Sequence, residues 1–358
     1  MYNIIIMAGG KGERFWPKSV LAKPKQFHKI ISDRTMIQET FFRVYPEIKK
    51  ENIYIVAGPS LKSLILEQLP ELDASNLIVE PEGKNTAPAI GLAAVYLSKR
   101  NPESVMMVLT ADHVIQPKEE FLKAMNTAIT IARQGWIVTF GITPARPAIE
   151  YGYIEIGKKL GGDFELDVYR VKMFREKPSY EQAKEYLGEG TFLWNSGLFT
   201  FKVSTILDAM KKQMPHHYKQ LMKISDGIGT ENEEAIKKSA FKEMENISID
   251  YGVLEKAENI VCIRPKFLWD DVGSWGALAR HRNTDEAGNV TDGNAILLDS
   301  NNNIVLSDDR SIISLIGISN TIVVKEDDKI LISNRSQDQK VKELLKIIAQ
   351  DENFFMYR

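Results

Sequence analysis

Through the first half of the chain, short apolar runs alternate with helical patterns, and this alternation is the strongest constraint on the fold. Asn3–Met7, Ile53–Ala57, Leu77–Glu80, Val105–Thr110 and Trp136–Ile142 read as strands. Met36–Tyr45, Leu61–Leu69, Ala87–Lys99 and Lys118–Arg133 read as helices. Repeated βα units imply a largely parallel sheet covered on both faces. The expected class is α/β, with a Rossmann-like mixed, mainly parallel sheet flanked by helices. Thr86, with Pro88 in the next turn, gives a helix start.

From about Tyr151 the pattern loosens. Strands Tyr151–Ile156 and Val168–Phe174 precede a helix near Tyr180–Leu187, then a strand over Phe192–Phe201. Helices dominate from Ser204 to Lys238, as in an insertion that builds a second wall. After Asp285 the runs Asn294–Asp299, Ile304–Leu306, Ile312–Ile316, Ile322–Val324 and Ile330–Ile332 are separated by Asn, Asp and Gly. Short, regularly spaced strands with turn residues between them indicate a small all-β, β-helix-like module. A terminal amphipathic helix, Gln337–Ile348, closes the chain. We therefore expect a domain over residues 1–285 and a β-rich module over 286–358, the latter serving packing or oligomerisation.

A formal net charge of −2 over 358 residues argues against a generic nucleic-acid binder, which carries a basic excess. The single cysteine, Cys262, rules out an intramolecular disulfide and suits a reducing compartment. Between Val261 and Ile263 it reads as a small buried hydrophobe. The first apolar run is too short for a signal peptide or a membrane span. A cytoplasmic protein with no membrane contact is expected.

Directly after the first run comes Met7–Phe27, MAGGKGERFWPKSVLAKPKQF. Glycines let backbone N–H groups approach a phosphate closely, and Arg14, Lys23 and Lys25 add positive charge. A loop at the carboxyl end of a strand in such a sheet is where nucleotide phosphates sit. It runs for about fifteen residues without helical periodicity, and long ordered loops are usually functional. It is neither of two common phosphate motifs. Phe15 stands where the Rossmann fingerprint needs its third glycine, and no Walker A string occurs.

Two acidic sites lie far apart in sequence. Asp112 follows the strand through Leu109, in VLTADH. Asp270 and Asp271 lie in WDDVGSW. Two carboxylates from distant segments suit Mg²⁺, which takes oxygen ligands and combines one or two protein carboxylates with substrate phosphates. Each aspartate could equally cap a turn. Glu176-Lys177-Pro178 is a charged strand exit, and Asn195 is a polar residue inside the apolar strand FLWNSGLF.

The string G-x-G-x-R-x-x-P-x-S followed by P-K-Q-F resembles the signature of sugar-1-phosphate nucleotidylyltransferases. The Gln26-Phe27 ending points to the mannose-1-phosphate guanylyltransferases. Further segments in chain order share the resemblance: E-P-E-G-K-N-T-A-P-A from Glu80, E-Y-G-Y from Glu150, R-E-K-P from Arg175, W-N-S-G-L-F from Trp194, D-Y-G-V-L-E-K from Asp250 and W-D-D-V-G from Trp269. Together they cover roughly residues 4 to 275.

The resemblance implies a nucleotidyltransferase catalytic domain over 1–285. It implies GTP and mannose 1-phosphate as substrates, and GDP-mannose and pyrophosphate as products. Arg14 and Lys25 are implied as catalytic cations, and Asp112 and Asp271 as Mg²⁺ ligands. Ala8, Gly9, Gly10, Gly12, Glu80, Pro81, Asn85 and Thr86 are implied to bind the nucleotide. Gly152, Glu176, Lys177 and Asn195 are implied to bind the sugar phosphate. A homodimer through the C-terminal module, and a monofunctional enzyme without an isomerase domain, are also implied. The chain departs from the family pattern at Asp270, usually a small residue, and at Lys84, usually Arg. Asp250 and Glu255 either contact sugar or fix loops. Three alternatives stay open: a nucleotidylyltransferase for another sugar 1-phosphate, a non-catalytic GDP-mannose-binding regulator, and a glycosyltransferase.

Overall fold

The computed structural model describes residues 2–308 and 310–357. The chain forms two compact units, each assembled from separate stretches. One comprises Met1–Gly9, Thr40–Thr110 and Ile115–Trp269. The other comprises Gly10–Glu39, Ala111–Val114 and Asp270–Arg358.

A nine-stranded sheet organises the first unit. Its order is Leu77–Val79, Ile53–Ala57, Tyr2–Met7, Val105–Thr110, Phe192–Lys202, Ile137–Ile142, Ile260–Arg264, Asp167–Arg175, Tyr153–Lys159. The first four strands run parallel, as their intervening helices require. Phe192–Lys202 then pairs antiparallel with both neighbours, so the sheet is mixed. Tyr2–Met7 has partners on both sides, and Ile4, Ile5 and Ile6 are fully buried, as parallel strands covered on both faces should be. The helix Thr86–Arg100 lays ten buried residues against this core and ends on Lys99 and Arg100, which suit its negative terminus.

Sequence reading assigned no strand to Ile260–Arg264, which lies inside the sheet, parallel to Ile137–Ile142. A run this short cannot be told from any other buried segment by periodicity alone. Cys262 on this strand is fully buried, as expected, and burial pushes its thiol pKa up.

In the second unit, Val290–Asp292, Ile304–Ser307 and Thr321–Glu326 stack in parallel, with Val290 beside Ile304 and Ile304 beside Ile322. Asn294–Leu298 and Ile312–Ile316 form a second parallel pair. This is the expected β-helix-like module. A ladder of asparagines pins its corners. Asn289 Oδ1 accepts from Asn303 N at 2.9 Å and from Asn303 Nδ2 at 3.1 Å, and Asn303 Oδ1 accepts from Thr321 N at 2.9 Å. Val290, Ile304, Ile322, Val341 and Leu345 share one apolar core with Phe15 and Trp275. Packing therefore groups the glycine-rich loop with the C-terminal module, a partition that no single cut in the sequence reproduces.

Candidate active site

The loop after the first strand is shaped by its own backbone. Gly12 sits at φ +61°, and a Cβ there would lie 2.3 Å from the Lys25 Cβ and 2.9 Å from its backbone nitrogen. Only glycine fits. Gln26 Nε2 donates to Gly10 O at 3.0 Å, and Ser19 Oγ donates to Lys11 O at 3.0 Å, which closes the loop on itself.

Lys25 is buried, and its ammonium is fully engaged. It donates to Asp271 O at 2.8 Å, to Asp112 O at 3.1 Å and to Asp112 Oδ2 at 3.1 Å. Three N–H groups meet three acceptors. Lys25, implied by the resemblance as a catalytic cation, lines the cavity and binds together the backbones that carry Asp112 and Asp271. Burial acts to raise the Asp112 pKa, but the charges of Lys25 and His113, with the hydrogen bonds from Lys25 and the backbone, together hold the carboxyl below its ordinary value. Asp112 is thus ionised at neutral pH.

Asp112, Asp271, Arg14 and Lys25 line one cavity of about 330 Å³, together with Gly12 and Gly273. A Cβ at Gly273 would stand 3.0 Å from the Asp271 carboxylate and 3.2 Å from Arg14 Nη1, so the guanidinium and carboxylate share its edge. Among the described residues, no group of three or more His, Cys, Asp or Glu side chains is placed to hold a metal. Two carboxylates lining one such cavity suit Mg²⁺, because the remaining ligands can be substrate oxygens and water.

Asp270, the departure from the family pattern, has a structural place. It is buried and accepts from Arg280 Nε at 2.6 Å, Arg280 Nη2 at 2.9 Å, His281 Nε2 at 2.8 Å and Val272 N at 2.8 Å. Burial opposes its ionisation, but these donors overcome that and hold its pKa far below the usual carboxylate range. The bond to Val272 N fixes a turn in which Val272 adopts φ +46°, directly after Asp271. Asp270 therefore shapes the loop that presents Asp271.

The other candidate residues belong to the first unit. Glu80 is buried, its N–H donates to Ala57 O at 3.0 Å, and its carboxyl has no hydrogen bond or ion pair among the described residues. Burial alone pushes its pKa up to about 7. Gly9 is small for a reason, since a Cβ there would come within 3.0 Å of Glu80 Oε1. Ala8 is buried, with its N–H on Val56 O, and Pro81 is half-buried. Asn85 is exposed and caps the helix Thr86–Arg100 through Thr86 N at 2.9 Å. Thr86 Oγ1 accepts from Ile249 N at 2.9 Å. Lys84 donates to Lys242 O at 2.8 Å and Met244 O at 2.7 Å, so it ties loops together without needing an arginine's fork.

Gly152, Glu176, Asn195 and Asp250 form a polar cluster beside the strand Phe192–Lys202. Asn195 N donates to Gly152 O at 2.8 Å, and Asn195 Nδ2 donates to Asp250 Oδ1 at 3.0 Å. A Cβ on Gly152 would lie 2.3 Å from Glu176 Oε2. Burial, reinforced by the charge of Asp250, raises the Glu176 pKa; burial raises that of Asp250. Lys177 is exposed, at φ +50°, with its ammonium 3.6 Å from Glu176. Two closely placed carboxylates and an amide make a set of acceptors for hydroxyl groups. Asp250, left open by sequence, thus joins this cluster.

Two residues of the C-terminal module have no place in the sequence reading: Lys342, which lines this cavity, and Gln339, which accepts from Arg14 Nη1 at 2.8 Å. No local signal marks them, because the contact joins residues 325 positions apart.

A family model for nucleotidyl transferases matches residues 3–288, and one for a MannoseP isomerase/GMP-like beta-helix domain matches residues 293–348. A mannose-1-phosphate guanylyltransferase of Klebsiella pneumoniae is 36% identical over 351 residues, spanning 97% of this chain and 74% of that protein. The mannose-1-phosphate guanylyltransferase RfbM of Salmonella typhimurium is 37% identical over 353 residues, spanning 97% of this chain and 72% of that protein. A crystal structure described as mannose-1-phosphate geranyltransferase from Thermus thermophilus superposes with a TM-score of 0.87 at 32% identity, covering 97% of this chain and 99% of that one.

Proposed function

The chain belongs to the nucleotidyl transferase family, among the mannose-1-phosphate guanylyltransferases, and from that premise we propose that it transfers GMP from GTP to α-D-mannose 1-phosphate, releasing GDP-mannose and pyrophosphate. The observation that carries this reading is the phosphate cavity, where Lys25 ties together the backbones of Asp112 and Asp271 and Arg14 faces Asp271.

A phosphate monoester has its second pKa near about 6 and is largely a dianion at pH 7. A sugar 1-phosphate oxygen can therefore attack the α-phosphorus without a general base. The new O–P bond forms as the bond to the β-phosphate oxygen breaks, and pyrophosphate departs. What the protein must supply is alignment and charge. Arg14 would stabilise charge on the departing pyrophosphate. Lys25 would act mainly by fixing both aspartates. Asp112 and Asp271 would hold Mg²⁺, which supplies charge neutralisation at the reacting phosphates. The backbone of Gly10 and Gly12 would take phosphate oxygens.

On the first unit, Glu80 would accept from the N1–H and N2–H groups of guanine, with Ala8, Gly9, Pro81, Asn85 and Thr86 shaping the nucleotide's binding surface. Glu176, Asn195 and Asp250 would take the mannose hydroxyls, Gly152 leaves space for Glu176, and Lys177 would neutralise the sugar phosphate. We assign this chemistry to residues 1–285. The module over 286–358 would also carry a homodimer contact. On its Asn294–Leu298 and Ile312–Ile316 pair, Ile296, Leu298, Ile312 and Ile316 share an exposed face by register. No helix among the described residues is long and apolar enough to cross a membrane, and a single buried cysteine suits a cytoplasmic location.

Chromatographic detection of GDP-mannose tests the reading. Wild-type protein with GTP, mannose 1-phosphate and Mg²⁺ should form it, and Arg14→Ala should lower kcat by about 10²–10³. Near-normal turnover by Arg14→Ala would remove Arg14 from the reaction.

A further inference from the structure

The segment that follows the β-helix reaches into the phosphate cavity. Arg14 Nη1 donates to Gln339 Oε1 at 2.8 Å. Lys342, in the first turn of the helix Val341–Gln350, lines the same cavity as Lys11, Arg14 and Lys25. This placement is anchored on both sides. Asp338 is buried and accepts from Ser274 Oγ at 2.5 Å and Gly276 N at 3.0 Å, just beyond Asp271. Val341 and Leu345 are buried in the core that also holds Phe15, the neighbour of Arg14.

The charge arithmetic of the cavity gives these residues work. Pyrophosphate, whether as the β,γ end of a nucleoside triphosphate or as the departing product, carries several negative charges. The three N–H groups of Lys25 are filled by Asp112 and Asp271 acceptors. Cationic donors for pyrophosphate must therefore come from the rest of the lining, where Lys11, Arg14 and Lys342 stand. A guanidinium has five N–H groups, so Arg14 can give one to Gln339 and still present others.

We propose that Lys342 binds the pyrophosphate end of the nucleotide and that Gln339 positions Arg14 toward it, so that the C-terminal module completes the phosphate site. The inference rests on the reading of this cavity as a nucleotide phosphate site. It gives the terminal segment a part in substrate binding beyond the packing and oligomerisation expected from sequence.

The test compares wild type with Lys342→Met, Lys342→Arg and Gln339→Ala. Magnesium pyrophosphate binding is titrated calorimetrically without nucleotide, and KM values are taken in both directions. Lys342→Met should weaken pyrophosphate binding and raise the KM for GTP about tenfold, while the KM for mannose 1-phosphate and the Kd for GDP-mannose stay within about twofold, a tenfold change being ~1.4 kcal/mol. Lys342→Arg should restore most of the loss. Gln339→Ala should lower kcat more than it raises any KM, because it loosens Arg14. Unchanged pyrophosphate binding in Lys342→Met would overturn the proposal. So would equal losses for pyrophosphate and GDP-mannose, which would mark a general structural role. Weakened pyrophosphate binding would support it even if the wild type made no GDP-mannose, a result that counts against the substrate reading alone.

Discussion

A buried carboxyl and a buried carboxylate show how local surroundings set different tasks for the same chemistry. Among the described residues the Glu80 carboxyl has no partner to repay its desolvation, and its pKa rises to about 7. Folding thus disfavours its charged form, so its contribution to stability declines as pH rises from the unfolded value of about 4.3 through 7, and levels off above. Glu80→Gln should flatten that decline in chemical denaturation measured between pH 5 and 8. On the proposed contact of the ionised Glu80 with the guanine donors, the KM for GTP should rise as pH falls below 7 in the wild type, and Glu80→Gln should raise it at all pH values and remove the slope. Asp270 is the opposite case. Its depressed pKa contributes stability that is present above the unfolded value of about 3.9 and lost as pH falls below it. Asp270→Asn weakens the part-buried charge-assisted contacts to Arg280 and His281 and should cost about 1.5–3 kcal/mol at pH 7, read from urea denaturation, with less loss at pH 3. The presence of Asp270 was plain in the sequence, but its role was not, because Arg280 and His281 become its partners only when the following turn folds back.

At the scale of elements, strand exits and loops set the geometry of both candidate clusters. The strands Tyr2–Met7 and Val105–Thr110 were legible because long buried parallel strands read as continuous apolar runs. The residues just past them, Gly12 and Asp112, were legible as loop and acid for the same reason. Ile260–Arg264 was not, since four apolar residues and an arginine carry no period of their own. The strand Phe192–Lys202 brings Asn195 beside Gly152, and Gly152 leaves room for the Glu176 carboxylate. Gly152→Ala would push that carboxylate aside without opening the core, because the clashing atom ends a flexible side chain. The expected result is a rise of about tenfold or more in the KM for mannose 1-phosphate, with the KM for GTP and the melting temperature little changed. A drop in melting temperature with an unchanged KM would place Gly152 in folding rather than in sugar binding.

Over the whole molecule, packing joins parts that lie at opposite ends of the sequence. The β-helix-like stack was foreshadowed by short strands and turn residues, but its asparagine ladder was not, because Asn289 and Asn303 become neighbours only when successive coils stack. The homodimer proposed above would cover the exposed face of Ile296, Leu298, Ile312 and Ile316. Ile316→Asp should shift a dimer to a monomer by light scattering while the apolar core of the module, to which Ile316 does not belong, keeps its stability. The central claim concerns chemistry, and the most direct measurement is pyrophosphate release by the purified full chain with Mg²⁺, testing GTP and ATP each against mannose 1-phosphate and glucose 1-phosphate. The account predicts rapid release only for GTP with mannose 1-phosphate. Faster release with another pair would contradict the substrate assignment, and no release with any pair, from protein that still binds GDP-mannose, would contradict catalysis itself.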